Sequence, residues 1–226
     1  MRIAGLGTGI VGQTIGAKLL SLGQDVWMGT RDVEAVMART EPARTGAPPC
    51  AEWAAAHPDA KVVLFKEAAA NGEIVFNATS GAAALDVLQA AGAENLAGKI
   101  LIDISNGLDF SAGVPRLTVA NTDSIGELVQ RSFPDARVVK TLNTVTAAVM
   151  VDPDSLAGGD HDVFVCGNDN AAKSEVAGIL TGWFGWRGVV DLGDITSARA
   201  VEMYLPLWIR LWGVHGTPVF NIKVVR

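Results

Sequence analysis

The chain has 226 residues, 49% of them hydrophobic and 19% charged, with a formal net charge of −6. That length allows one large or two small domains around a sizeable core, and the composition excludes a disordered chain. An acidic balance without any Lys/Arg-rich run excludes a nucleic-acid footprint, while leaving room for a local pocket that binds a phosphorylated cofactor. Met1-Arg2 runs directly into an apolar segment, so no signal peptide is expected, and Tyr204 to Val214, which contains Arg210, is too short to span a bilayer. Cys50 and Cys166 have neither metal-like nor disulfide-framework spacing, so a soluble protein of the reducing cytoplasm is expected, with no membrane partner and no metal.

In chain order, Arg2–Leu6 reads as a buried strand. Val11, Ile15 and Leu19 then recur at helical spacing up to Gly23. A second strand is expected at Asp25–Met28, a helix at Asp32–Arg39, a Pro/Gly-rich loop at Glu41–Pro49 and an Ala-rich helix at Glu52–Ala56. Lys61–Phe65 and Ile74–Ala78 look like strands around a short helix Glu67–Ala70. Helix Ala82–Ala91, strand Lys99–Ile104, a capped helix Ser124–Ser132 and strand Ala136–Val139 follow. Continuous apolar strands alternating with helices predict a Rossmann-type α/β fold, a doubly wound parallel sheet covered on both faces. After Lys140 the pattern changes. Thr141–Gly158 reads as polar and irregular, followed by strand Val163–Cys166, helix Ala171–Leu180, strand Val189–Asp191 and a helix from Ser197 to about Trp212. A boundary near Lys140 divides a dinucleotide-binding domain, 1–140, from a small carboxyl-terminal α/β lobe, 141–226.

The first strand-to-helix turn reads Gly7-Thr8-Gly9-Ile10-Val11-Gly12, and its glycines have separate tasks. Gly7 permits the tight turn, Gly9 lets backbone approach a pyrophosphate, and Gly12 allows helix–sheet contact. The helix N-terminus offers unpaired N–H groups to the phosphates. At the end of the second strand, where an NAD-selecting carboxylate would bond the ribose, the chain reads Gly29-Thr30-Arg31. Gly29 leaves space, Thr30 supplies a hydroxyl and Arg31 a fork suited to a 2′-phosphate, so NADP(H) is expected; Asp32 is read as a helix cap. Asn77-Ala78-Thr79-Ser80 and Ser105-Asn106-Gly107 end two later strands in the same crevice. By position they are either cofactor contacts or a cap and a turn.

The carboxyl-terminal lobe is too short for the long helical second domain of the beta-hydroxyacid dehydrogenases and imine reductases, which share this amino-terminal design. His57, His161 and His215 are scattered and read as surface or turn residues, so no catalytic acid is assigned. Hydride transfer between two cofactors needs none, provided the two rings stack with the reacting carbons about 3–3.5 Å apart.

The whole length resembles the coenzyme F-420-dependent NADP oxidoreductases. The matching pieces are residues 7–12, Gly29-Thr30-Arg31, Val138-Val139-Lys140-Thr141-Leu142-Asn143-Thr144 and Val163-Phe164-Val165-Cys166-Gly167-Asn168-Asp169. Val190-Asp191-Leu192-Gly193 and Ala198-Arg199-Ala200-Val201-Glu202 leading to Pro206-Leu207 complete them. The resemblance implies reversible hydride transfer between NADP(H) and an 8-hydroxy-5-deazaflavin, a homodimer, and a second-ring pocket formed by Asn143, Thr144 and Val145 with Pro206 and Leu207 behind them. Asn143 stands where archaeal members that reduce the deazaflavin carry a histidine. The Lys-x-x-Asn form also resembles the NADPH domains of membrane ferric reductases, which makes a flavin, FMN or FAD, the alternative acceptor. The rival readings are an NADPH-dependent reductase of a small carbonyl or imine, and an NADP(H)-binding redox sensor.

The helix through Met203, Tyr204, Leu205, Leu207, Trp208, Ile209, Leu211 and Trp212 is apolar nearly all round and is expected to be buried, in the monomer core or between two copies. Trp183 and Trp186 can shape a flat-ring pocket, but ordinary packing is the expectation.

Overall fold

The computed structural model describes residues 1–43, 46–111 and 113–225; Arg44 and Thr45 of the predicted loop 41–49, Ala112, and Arg226 of the predicted lobe lie outside the described residues. Strand β1 (Arg2–Leu6), helix α1 (Ile10–Ser21) and β2 (Asp25–Thr30) make the first βαβ unit. Short helices α2 (Val33–Met37) and α3 (Cys50–Ala56) lead to β3 (Lys61–Leu64), α4 (Phe65–Asn71) and β4 (Ile74–Asn77). Helices α5 (Gly81–Ala91) and α6 (Ala93–Leu96) precede β5 (Ile100–Asp103), and an unforeseen hairpin, β6 (Leu108–Asp109) with β7 (Arg116–Leu117), comes next. Then come α7 (Ile125–Ser132), β8 (Arg137–Thr141), α8 (Ala147–Val151), β9 (Asp162–Cys166), α9 (Asn170–Ile179), β10 (Gly188–Asp191), α10 (Ala198–Met203) and α11 (Leu205–His215).

A single eight-stranded sheet has the order β10-β9-β8-β5-β4-β1-β2-β3. From β3 to β8 all neighbours are parallel. Strand β9 runs antiparallel to β8, and β10 parallel to β9, so the sheet continues through residue 140 with its direction reversed. The central strands are mostly apolar because both faces are covered. One core holds Ile3, Ile15, Phe76, Ile102, Val163 and Phe184; the other holds Leu6, Phe65, Val75, Leu88, Leu101 and Val138. Chain order reverses between β1 and β4, which puts a ligand crevice at their carboxyl ends.

Asp32 caps α2, its Oδ1 accepting from Ala35 N at 2.9 Å, as expected. Ser124 Oγ likewise accepts from Glu127 N at 3.1 Å.

Several expectations need correction. Segment 141–158 is not an open polar stretch: Thr141 completes β8, α8 forms within it, and Leu142, Val145, Val149, Met150 and Val151 all join the core. The helix expected from Ser197 is broken into α10 and α11 around Tyr204, because Pro206 in the first turn of α11 lacks the N–H that would continue it. Nor is α11 buried within the chain. Only its Leu205 is buried; Phe220 packs on Trp208 and His215, but Leu207 is 55%, Trp212 46% and Val214 79% exposed, so the described residues leave much of this helix uncovered. His161 is no surface residue. It is buried edge-on against Trp186, its Nε2 3.0 Å from Pro153 O and its Nδ1 accepting from Asn221 Nδ2 at 2.9 Å. Trp186 packs in the core as expected and donates from Nε1 to Met150 O. Among the described residues no helix is long and apolar enough to cross a membrane.

Candidate functional site

The glycine turn leaves β1 with Gly7 at φ +116, in the region that favours glycine, and Gly7 N donates to Gly29 O at 3.1 Å. A Cβ on Gly7 would lie 2.9 Å from Ala78 O and 3.2 Å from Thr79 Cγ2, so the loop after β4 rests directly against the turn. A Cβ on Gly12 would overlap the Gly7 carbonyl oxygen and sit 3.0 Å from its carbon. Gly9 is different. It caps α1 with no side-chain hydrogen bond, and a Cβ there would meet nothing within 4 Å. The first N–H groups of α1, at Ile10, Val11 and Gly12, lack intrahelical partners, as at any helix N-terminus. Buried Gln13 braces the turn, its Nε2 donating to Thr8 O at 3.0 Å and to Pro48 O at 2.9 Å.

At the end of β2, Thr30 is 7% exposed and its Oγ1 lies 3.5 Å from Asp32 O, a marginal hydrogen bond. Arg31 is exposed and forms no ion pair among the described residues, and the Asp32 carboxylate is occupied by its helix cap. Gly29 requires a correction. Its missing side chain faces Leu6, Phe65 and Ala68 at 3.0–3.2 Å, so glycine is needed there for α4 to pack on the sheet and does not clear room for a ribose. The open Gly9 cradle, the unpaired helix terminus and the unpaired Arg31 fit a dinucleotide with a 2′-phosphate.

Asn77, Thr79 and Ser105 converge on one carboxylate. Asp103 Oδ1 accepts from Asn77 Nδ2 and Ser105 Oγ, both at 2.8 Å, and Thr79 Oγ1 donates to Asn77 Oδ1 at 2.6 Å. Of the two readings of this segment, the side-chain cap is not made: neither Thr79 nor Ser80 bonds the N-terminus of α5, which donates from Gly81 N to Asn106 O at 2.9 Å. The carboxamides of Asn106 and Asn143 are interlocked. Asn106 Nδ2 donates to Asn143 O at 2.9 Å, and Asn143 Nδ2 donates to Asn106 Oδ1 and to Val201 O, both at 3.1 Å. Leu142, just before this clamp, is buried at φ +59, a left-handed conformation that costs a non-glycine residue about 1–2 kcal/mol. The side chains of Asn143, Thr144 and Val145 are 4%, 2% and 5% exposed, with Val145 part of the core. Leu207 lies exposed on α11. Pro206 lines a groove of about 540 Å³ with Val114, Pro115, Ile209, Arg210 and Val214, between the β6–β7 hairpin and α11.

Sequence reasoning passed over the group beneath the crevice. Lys140, near the end of β8, is fully buried, with its Nζ 2.8 Å from Asp103 Oδ2, 2.9 Å from Glu202 Oε1, and donating to Ser105 O. Glu202 of α10 also accepts from the N-terminus of α7, Ile125 N at 2.8 Å and Gly126 N at 3.0 Å. Burial opposes the charge on Lys140, but the two carboxylates outweigh it and hold the ammonium above its ordinary range. A lysine and an aspartate ending adjacent apolar strands was the available signal. Cys166, nearby in β9, is pushed up to about 12 by burial and carries no reactive thiolate. Among the described residues no cluster of His, Cys, Asp and Glu can hold a metal.

Comparison with known proteins places this geometry in a family. The family described as NADP oxidoreductase, coenzyme F420-dependent, matches residues 2–107. The crystal structure of a protein from Arthrobacter sp. FB24, designated a provisional F420-dependent NADP-reductase, is 56% identical, covers all of both chains and superposes with a TM-score of 0.96. The F420-dependent NADP reductase of Methanocaldococcus jannaschii is 32% identical over 148 residues, which is 65% of each protein. Metalloreductase STEAP3 of Rattus norvegicus is 28% identical over 90% of this chain. The matched regions thus span 65% and 37% of these two curated relatives. The chain belongs to the F420-dependent NADP oxidoreductase family.

Proposed function

We propose that this member of the family transfers a hydride reversibly between NADP(H) and the deazaflavin coenzyme F-420. The observation that carries the nucleotide half is the pairing of an open Gly9 cradle with an unpaired Arg31 where an NAD-selecting acid would stand. Family membership carries the deazaflavin half.

When bound, NADPH supplies the hydride and the deazaflavin ring accepts it. The protein's part is binding, orientation and exclusion of water. The N–H groups at residues 10–12, after Thr8 and Gly9, take the pyrophosphate, and Thr30 with Arg31 takes the 2′-phosphate. Ala78, Thr79 and the Asn77–Asp103–Ser105 cluster shape the wall beside the nicotinamide. The Asn106–Asn143 clamp sets where a second ring can lie, with Thr144 and Val145 behind it. Residues 141–226 are read as the lobe that completes the acceptor side, Pro206 and Leu207 included. No side chain is assigned as an acid.

The uncovered apolar face of α11 favours a homodimer, since exposed patches of this kind mark interfaces. Free, buried Cys50 and Cys166 suit a reducing cytoplasm. A flavin is the second reading for the acceptor. It is favoured by Asn143 in place of histidine and by the likeness of most of the chain to a metalloreductase.

The test is spectrophotometric: purified protein, NADPH and oxidised coenzyme F-420, with FMN and FAD run alongside. Fast loss of the deazaflavin absorbance with NADPH, and little with NADH, is expected. Saturable NADPH binding without bleaching would remove the deazaflavin and keep the nucleotide site.

A further inference from the structure

The ammonium of Lys140 is completely buried, and its three partners come from two separate parts of the molecule. Asp103 and Ser105 end β5 and reach Asn77 and Thr79 at the end of β4, all on the nucleotide side. Glu202 sits on α10, next to Val201, whose carbonyl holds Asn143, and Glu202 also grips the N-terminus of α7. An ion cluster of this kind is a poor device for stability alone, because desolvating three charges offsets most of their attraction, and apolar side chains of similar volume would serve as well. Its distinctive property is geometric. Each carboxylate is bonded both to the cation and to groups of its own half, Asp103 to Asn77 and Ser105, Glu202 to Ile125 and Gly126, so the cation ties the two halves in one mutual arrangement.

We infer that Lys140 is a positioning residue that joins two half-sites, its Asp103 arm fixing the nucleotide wall and its Glu202 arm fixing the acceptor wall. This deepens the proposed function and rests on it for the acceptor half. The two arms make the joint separable by experiment. Removing charge from Glu202 releases α10 and the Asn143 clamp while leaving Asp103, Asn77 and Thr79 paired. Removing charge from Asp103 loosens Asn77, Thr79 and Ser105 and leaves the Glu202–α7 contacts intact.

The experiment is equilibrium binding, which does not depend on turnover. NADPH is titrated into the whole protein, and oxidised coenzyme F-420 is titrated into the protein–NADP+ complex, each followed by cofactor fluorescence. Glu202→Gln is expected to weaken deazaflavin binding at least fivefold and leave the NADPH Kd within twofold. Asp103→Asn is expected to give the reverse pattern, and Lys140→Met to weaken both. Should Lys140→Met fail to fold, the two carboxylate variants decide the matter by themselves. Equal losses of both cofactors in the Glu202 and Asp103 variants, or no change in either, would overturn the joint and leave the cluster a packing feature. Wild-type protein that binds NADPH but no deazaflavin would refute the acceptor reading instead. The NADPH titrations then decide alone: Asp103→Asn must weaken NADPH and Glu202→Gln must not.

Discussion

Two glycines three residues apart, Gly9 and Gly12, carry opposite expectations when changed to alanine. Gly9 has φ −80 and ψ −175, ordinary extended backbone, and a Cβ there meets nothing within 4 Å. Alanine stiffens the unfolded chain, worth about 0.4–1 kcal/mol, but is a poorer N-cap by about the same amount. The two terms cancel to within about 1 kcal/mol, so the melting temperature should move by no more than about 4 °C. Its methyl group, however, occupies the space through which the pyrophosphate approaches. Crowding of that kind costs about 1–3 kcal/mol, roughly a 5- to 150-fold rise in the NADPH Kd. Gly12→Ala drives its methyl into the Gly7 carbonyl oxygen, a backbone atom of a residue whose N–H is already bonded to Gly29 O, so the turn or α1 must move. A loss of about 3 kcal/mol or more, a fall of at least about 6 °C, is expected. Differential scanning fluorimetry and NADPH fluorescence titration check both variants. If Gly9→Ala melts as low as Gly12→Ala, or binds NADPH like the wild type, the cradle is misplaced.

Arg31→Ala should weaken NADPH by about 1.5–3 kcal/mol, toward the lower end at physiological salt because Arg31 is exposed, and should leave NADH unchanged. Equal losses for both in parallel titrations would show that Arg31 does not read the 2′-phosphate. Glu127 is buried, and the hydrogen bonds from Arg199, at 2.8 and 2.6 Å, hold its carboxyl below the usual glutamate range. A lowered native value means the stabilisation is complete above that range and is lost as pH falls through the native value. Glu127→Gln should therefore melt lower at pH 7, by about 1–3 kcal/mol in stability, with the gap closing in acid. A gap that persists at the lowest pH would assign the loss to packing. Wild-type protein should sediment as a dimer and Trp212→Asp as a monomer; a monomeric wild type would leave the α11 face unexplained.

The first strand–turn–helix unit was legible because its signals are local. The glycine turn, the strand before it and the residues ending β2 lie within a short span, and each glycine has one steric reason to be there. Gly29 was the exception, since whether a glycine clears room for a ligand or for a helix depends on α4, which sequence alone does not place. Segment 141–158 was misread because its polar residues stand among apolar ones with no sustained period, although Leu142, Val145 and Val149 turn inward. Similarly, the Trp-rich tail signalled burial correctly as chemistry, but burial in what is a question about a second surface. His161 gave no warning, because its partner Asn221 lies 60 positions away.

The cluster at the end of β8 is built from such long-range contacts almost throughout. Asn106 meets Asn143 across 37 positions, Asn143 meets Val201 across 58, and Ile125 meets Glu202 across 77. These bonds converge on the end of β8, where Leu142 is held left-handed and Lys140 is held charged and fully buried. Both are unfavourable by themselves, and both persist only because neighbours from α7, α10 and the β5 loop fix them together. Local propensity is silent about such a site, since no short window contains two of its members in the right relation. The nucleotide site can therefore be altered one residue at a time with separable effects. Changes at the end of β8 should show coupling between residues far apart in sequence, and that coupling is where the choice between a deazaflavin and a flavin has to be sought.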